Sequence, residues 1–246
     1  GMPLGRARTA VFPDGELIVH VEENVRGRDC FVIISTCDPV NDNLMELLVF
    51  ADSLRRASAR RITAVVPYFG YGRQDRKERG REPITAKLVA NLITAAGYDR
   101  VLTLDLHAAQ IQGFFDGPVD HMRAQKLLTG YIADNYSDHD MVVVSPDSGR
   151  VRVAEKWADS LGGVPLAFIH KTRDPLVPNQ VKSNRVVGDV RGKTCILTDD
   201  MIDTGGTIAG AVRLLKEDCA VDFVIAATHG VLSAPARERL HESGAR

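Results

Sequence analysis

Lys193-Thr194-Cys195-Ile196-Leu197-Thr198-Asp199-Asp200-Met201-Ile202-Asp203-Thr204-Gly205-Gly206-Thr207-Ile208 reads as a strand, a loop and the start of a helix. Cys195 to Leu197 is a short apolar run of the kind buried in a parallel sheet. Asp199 and Asp200 close it, a two-glycine turn follows, and Thr207 opens a helix through Ala211, Val212, Leu214 and Leu215. Backbone N–H groups and the helix dipole at such a junction favour a phosphate. Gly205 and Gly206 let the backbone approach the anion, and Thr204 and Thr207 add hydroxyl donors. Asp199 and Asp200 repel phosphate, so they suit sugar hydroxyls or a magnesium ion. The combined chemistry is that of a sugar phosphate. No lysine follows the glycines as in an ATP-binding P-loop. A helix cap alone would need one acid, and this stretch carries three.

The rest of the chain repeats this pattern. Its 246 residues suffice for one large domain or two small ones, and a net charge of −1 implies no general attraction to nucleic acid or membrane. Cys30, Cys37, Cys195 and Cys219 show no metal spacing and read as reduced thiols of a cytoplasmic protein. Neither a signal peptide nor an apolar run of membrane-spanning length is present.

Phe12 to Glu16 is a turn before a strand, Leu17 to Val21. The next strand, Asp29 to Ser35, leads to a helix from Leu44 to about Ala57, with Asn41 to Asn43 as caps. The strand Ile62 to Val66 ends at Pro67-Tyr68-Phe69-Gly70-Tyr71-Gly72-Arg73-Gln74-Asp75-Arg76-Lys77. Basic and aromatic residues at the C-terminal end of a buried strand stand where α/β sheets bind ligands. Arginine grips phosphate and the aromatics could face a base. A helix to Ala96 and the strand Val101 to Leu104 follow, ending in Asp105-Leu106-His107-Ala108.

From Ala124 the rhythm restarts. A helix from Gln125 precedes the strand Met141 to Val144, the turn Ser145 to Arg150 and a helix to Leu161. The strand Pro165 to Ile169 leads into His170 to Gln180, which has two prolines, no periodicity, and reads as a mobile loop. After the acid pair and its helix come a strand, Phe223 to Ala227, and a last helix from Ala234. The fold class expected is α/β in two tandem units, 1–124 and 125–246, each a mainly parallel sheet flanked by helices.

With these residues in view, the chain resembles the ribose-phosphate pyrophosphokinase family. The likeness is carried by Phe12 to Glu16, Asn41 to Leu47, Pro67 to Lys77, Arg81 to Ile84, Asp105 to Ala108, Gln110 to Phe115, Ser145 to Asp147 and Asp199 to Thr204. It implies two phosphoribosyltransferase-like domains. The implied reaction moves the β,γ-pyrophosphoryl group of ATP to the 1-hydroxyl of ribose 5-phosphate, with Mg²⁺ required. ATP would be held by Phe12, Asp14, Glu16, Arg73, Gln74, Asp75, Lys77 and His107, the first three reaching a neighbouring subunit. His107 and Asp147 would serve metals. Lys171 and Arg173 would stabilise the transferring group, Asp199 and Asp200 would take the ribose hydroxyls, and Asp203, Thr204, Gly205, Gly206 and Thr207 the 5-phosphate. Dimers assembled into a hexamer, and regulation by phosphate or ADP, are also implied.

Two positions depart from the family pattern: Arg150 replaces a glycine after Pro146-Asp147, and Ala109 replaces a common serine. The likeness also lacks the family's early Ser-Gly motif and its C-terminal segment. Two other readings compete. A regulatory family member would carry an altered catalytic loop, whereas Lys171 and Arg173 are kept here. A phosphoribosyltransferase would explain Asp199 to Thr207 but not the Arg73 cluster or His107.

Overall fold

The computed structural model describes residues 3–173 and 181–246, and for 171–173 and 181–184 the backbone alone. The chain divides into two compact units, 1–123 and 124–246.

In the first unit β1 (Ala7–Val11) and β2 (Leu17–Val21) form an antiparallel ribbon. Four parallel strands follow in the order β3 (Asp29–Ile33), β4 (Arg61–Val66), β5 (Arg100–Leu104) and β6 (Val119–Met122). Two helices complete the core, α1 (Val40–Arg56) through Leu47, Ala51 and Leu54, and α2 (Thr85–Ala96) through Ala86, Val89 and Ile93. These positions recur three or four apart, the spacing that keeps one helix face on the sheet. Helix α1 starts earlier than the sequence implied. Pro39 stands at its N-cap, so Asn41 to Asn43 form the first turn instead of capping it. Asn43 instead donates its side-chain N–H to the Cys37 carbonyl at 2.9 Å.

The second unit comprises α3 (Gln125–Tyr136), β7 (Met141–Ser145), α4 (Val151–Ser160), β8 (Leu166–Arg173), β9 (Val181–Val187), β10 (Thr194–Ile202), α5 (Gly206–Glu217), β11 (Asp222–Gly230) and α6 (Ala236–Ser243). Its sheet runs β11-β10-β7-β8-β9, parallel except for the antiparallel β8–β9 pair. Alternate residues of the central strands face opposite cores. Val142, Val144, Cys195 and Leu197 pack with Ile208, Val212 and Leu215 of α5. Met141, Val143 and Ile196 pack with Ile132 of α3 and Ala154 and Trp157 of α4. Burial on both faces explains why β7 and β10 read as unbroken apolar runs.

Strand β8 continues through Arg173, where the sequence implied a loop from His170, because β9 pairs with it as far as Arg173↔Val181. The rest of that expected loop, 174–180, lies outside the described residues. Strand β10 likewise outruns its apolar core, so Asp199 and Asp200 stand within it and not after it. Pairing with β11 continues to Ile202↔Gly230, while pairing with β7 stops at Leu197↔Val144. No helix among the described residues is long and apolar enough to cross a membrane.

Candidate active site

The order β11-β10-β7-β8 gives the second unit a point where connections diverge. The chain leaves β7 through α4 towards β8 on one side, and leaves β10 through α5 towards β11 on the other. Between the carboxyl ends of two such strands, loops part and leave a crevice where open α/β sheets take ligands. Asp199 and Asp200 come to this crevice from β10, and the turn Pro146 to Arg150 from β7.

The acids are side by side and little exposed, 15% at Asp199 and 7% at Asp200. Arg150 meets both, with Nη1 3.4 Å from Asp199 Oδ1 and Nη2 2.9 Å from Asp200 Oδ1. The Asp200 backbone N–H also donates to Asp199 Oδ1 at 2.8 Å. Burial, and then the Asp200 carboxyl, push Asp199 upward from the usual carboxylate range, against the pull of the Arg150 charge.

Beyond the acids the loop reaches α5. Gly205 takes φ 71° and is buried, while Thr204, Gly206 and Thr207 are exposed around it. A Cβ on Gly205 would meet the Ala236 carbonyl at 3.3 Å, so glycine serves both the left-handed backbone and the close approach of α6. Gly205 stands at the N-cap of α5 and, being glycine, offers no capping side chain, so the first-turn N–H groups beside the loop are of the kind that receive anions. Arg239 of α6 holds the loop by donating from Nη1 to the Thr204 carbonyl at 3.1 Å.

Asp147 has a structural task. Its Oδ1 accepts from the backbone N–H of Gly149 at 2.9 Å and of Arg150 at 3.1 Å, which fixes the turn before α4. Lys171 and Arg173 lie on β8, two strands from β10, and their side chains are outside the described residues.

In the first unit two loops leave neighbouring strands. The loop after β4 is anchored at Thr36, whose hydroxyl accepts from Gly70 N–H at 2.6 Å and donates to the Tyr68 carbonyl at 2.9 Å. A Cβ on Gly70 would lie 2.5 Å from the Thr36 carbonyl, so no larger residue fits. Gln74 Oε1 accepts from the Thr85 hydroxyl at 2.5 Å, and Asp75 Oδ2 from Gln110 Nε2 at 2.7 Å. Arg73, Gln74 and Lys77 are exposed. Further along, Glu82 accepts from Glu78 and Arg79 N–H, both at 2.9 Å, and these bonds lower its pKa.

The loop after β5 carries His107, which is exposed. Its base is set by β6: His121 Nε2 accepts the Leu106 N–H at 2.9 Å, and Asp105 N–H donates to the Met122 carbonyl at 3.0 Å. Burial lowers the His121 pKa, which favours the neutral ring that this acceptor role needs. Phe12, Asp14 and Glu16 stand apart on the β1–β2 ribbon, whose turn closes with Phe12 N–H on the Glu16 carbonyl at 2.8 Å and Glu16 N–H on Asp14 Oδ1 at 3.1 Å.

Arg239 in the second unit, and Thr85 and His121 in the first, support these loops without having been named for it from sequence, whereas Arg150 stood out there as a departure from the family pattern and Gln110 as part of the likeness. Among the described residues no three His, Cys, Asp or Glu converge as a metal cage. Mg²⁺ is usually held by one or two carboxylates plus substrate phosphates, so the carboxylates present fit a metal that arrives with a nucleotide.

Known proteins share this architecture. Residues 1–97 match the N-terminal domain of ribose phosphate pyrophosphokinase, and 116–243 the phosphoribosyl transferase domain. The ribose-phosphate pyrophosphokinase of Mycobacterium tuberculosis is 69% identical over 235 residues, covering 96% of this chain and 72% of that protein. Its Streptomyces coelicolor counterpart is 55% identical over 232 residues, 94% of this chain and 71% of that protein. The crystal structure of phosphoribosylpyrophosphate synthetase from Mycobacterium smegmatis is similar with a TM-score of 0.93 at 66% identity, over 99% of this chain and 79% of that one. The chain belongs to the ribose-phosphate pyrophosphokinase family.

Proposed function

We propose that the chain transfers the β,γ-pyrophosphoryl group of ATP to ribose 5-phosphate, giving phosphoribosyl pyrophosphate and AMP. The observation that carries this reading is the acid pair followed by a glycine-led helix start at the diverging point of the second sheet. The sugar hydroxyls donate to Asp199 and Asp200. The 5-phosphate takes N–H and hydroxyl donors from Asp203 to Thr207. The 1-hydroxyl oxygen then bonds to the β-phosphorus of ATP, the bond from that phosphorus to the α–β bridging oxygen breaks, and AMP leaves with its electron pair. The hydroxyl proton passes to water as the new bond forms.

Such transfers rest on positioning and charge neutralisation more than on covalent help from the protein. Lys171 and Arg173 are the cations for that work. Bound Mg²⁺ would neutralise phosphate charge, with Asp147 and His107 the residues to hold it. Arg73, Gln74, Asp75 and Lys77 receive ATP, and Thr85 and Gln110 orient two of them. Phe12, Asp14 and Glu16 serve the adenine of a neighbouring copy. Exposed Val11, Phe12 and Ile18 on the ribbon, with Phe31 and Ile33 on the edge strand β3, support self-association towards a hexamer. Phosphate and ADP are its regulators. The free thiols of all four cysteines fit a cytoplasmic location.

AMP release from ATP is the test, with and without ribose 5-phosphate, beside Lys171→Ala. Release that requires the sugar and collapses in the variant is expected. Equal release without the sugar contradicts the reading.

A further inference from the structure

Two ionised carboxylates placed side by side with little access to water are unfavourable twice over, through mutual repulsion and through lost hydration. Asp199 and Asp200 are in that position, and the protein itself brings a cation to them. Arg150 is only 22% exposed and reaches Asp200 at 2.9 Å and Asp199 at 3.4 Å through different nitrogens of one guanidinium. A planar fork suits this two-acid contact in a way that a point charge does not.

The arginine is also held from behind. Its backbone N–H and that of Gly149 donate to Asp147 Oδ1, while the Ser145 hydroxyl donates to the Asp147 carbonyl at 2.6 Å. Helix α4 then starts at Val151, so the residue has little freedom to leave. The cation comes from the end of β7 and the acids from the end of β10, the two strands between which the crevice opens.

We propose that Arg150 is a built-in counter-ion for the ribose-binding acids, so that ribose 5-phosphate docks on Asp199 and Asp200 without a divalent cation between sugar and protein. The inference rests on the ribose 5-phosphate reading given above. A carboxylate held still and kept charged is the stronger acceptor for a sugar hydroxyl, and the Arg150 charge pulls against the burial that pushes Asp199 upward. The guanidinium supplies the charge permanently, since it does not deprotonate in proteins. Each ionised carboxylate offers about four lone-pair sites, more than its contact with one guanidinium uses. A second cation at the same place would be repelled by the guanidinium, which directs divalent metal towards the nucleotide phosphates. Arg150 is therefore a positioning residue: it acts on the substrate through the two acids.

The test is calorimetric titration of ribose 5-phosphate into the full chain, once in Mg²⁺ and once in EDTA. Wild type is compared with Arg150→Met and Arg150→Lys. Wild-type affinity is expected to agree within about two-fold between the two buffers. Arg150→Met should bind about ten-fold more weakly in EDTA and regain affinity in Mg²⁺, whereas Arg150→Lys should stay within about three-fold of wild type in EDTA. A purely structural arginine would not produce this exchange of cation for side chain. Unchanged or tighter binding by Arg150→Met in EDTA overturns the proposal, the tighter case identifying the guanidinium as an obstacle to the sugar. Loss of wild-type affinity in EDTA also overturns it, and decides the matter even if Arg150→Met does not fold. Absence of wild-type binding in both buffers removes the underlying ribose 5-phosphate reading instead.

Discussion

The two units equip their loops by different means. In the second, Asp199, Asp200 and Arg150 form a little-exposed charge cluster between two strand ends. In the first, Arg73, Gln74, Lys77 and His107 are exposed on loops held from beneath by neutral or backbone bonds, at Thr36, Thr85 and His121. Buried charges are costly and must be compensated where they stand, so the second unit fixes its acids by pairing them. Exposed charges cost little in water, and their order comes from the loop that carries them. A sugar with neutral hydroxyls suits the paired charges of the second unit, and a polyphosphate that brings its own charge and metal suits the exposed loops of the first.

Substitutions should separate the two designs. The largest effect is expected at the charge cluster. Asp200→Ala leaves the guanidinium with less compensation at low exposure and should cost ~3 kcal/mol in urea unfolding. A loss under 1 kcal/mol would show the cluster to be well solvated. In the first unit the comparable weak point is backbone, not charge. Gly70→Ala forces a Cβ to within 2.5 Å of the Thr36 carbonyl. It should cost about 2 kcal/mol and weaken ATP binding while leaving ribose 5-phosphate binding intact, both readable by unfolding and titration.

The units should also answer pH with opposite sign. The folded pKa of Asp199 is raised from 3.8 to about 7, so the folded state binds more protons than the unfolded state between those values. Its contribution is fully present below about 4 and is lost as pH rises towards 7. Asp199→Asn removes this dependence, and its stability relative to wild type should improve steadily over that window. The Glu82 pKa is lowered from 4.5 by the Arg79 and Glu78 N–H groups, so its contribution is present above that value and lost as pH falls below it. Glu82→Gln should therefore lose ground to wild type as pH rises through the carboxylate range. Parallel pH profiles for the two variants would erase the contrast. The smallest effect is expected at Thr85→Val, which removes one donor to an exposed Gln74 and should cost under about 1 kcal/mol, with a modest rise in KM for ATP alone.

What sequence reading recovered follows from the range of each interaction. Asp199 to Thr207 was legible because strand, acids, glycines and helix are contiguous, and each residue type has a local reason. The same holds for Pro67 to Lys77. The pairing of Arg150 with those acids was not legible, because it exists only once β7 and β10 lie side by side, and sheet order is not written in either segment. Arg239 escaped for the same reason: it is an ordinary helix arginine until α6 packs over Gly205. Strand β1 was missed because all five residues are exposed, which leaves no alternation to read. Strand β8 was cut short because its last residues owe their extended form to β9 and not to apolar content.

The division of labour between units is tested most directly by paired titrations of ribose 5-phosphate and ATP into Asp200→Asn and Asp75→Asn. The account predicts that Asp200→Asn loses ribose 5-phosphate binding and keeps ATP, while Asp75→Asn weakens ATP binding and keeps the sugar phosphate. Loss of the sugar phosphate in Asp75→Asn, or its retention in Asp200→Asn, would contradict it.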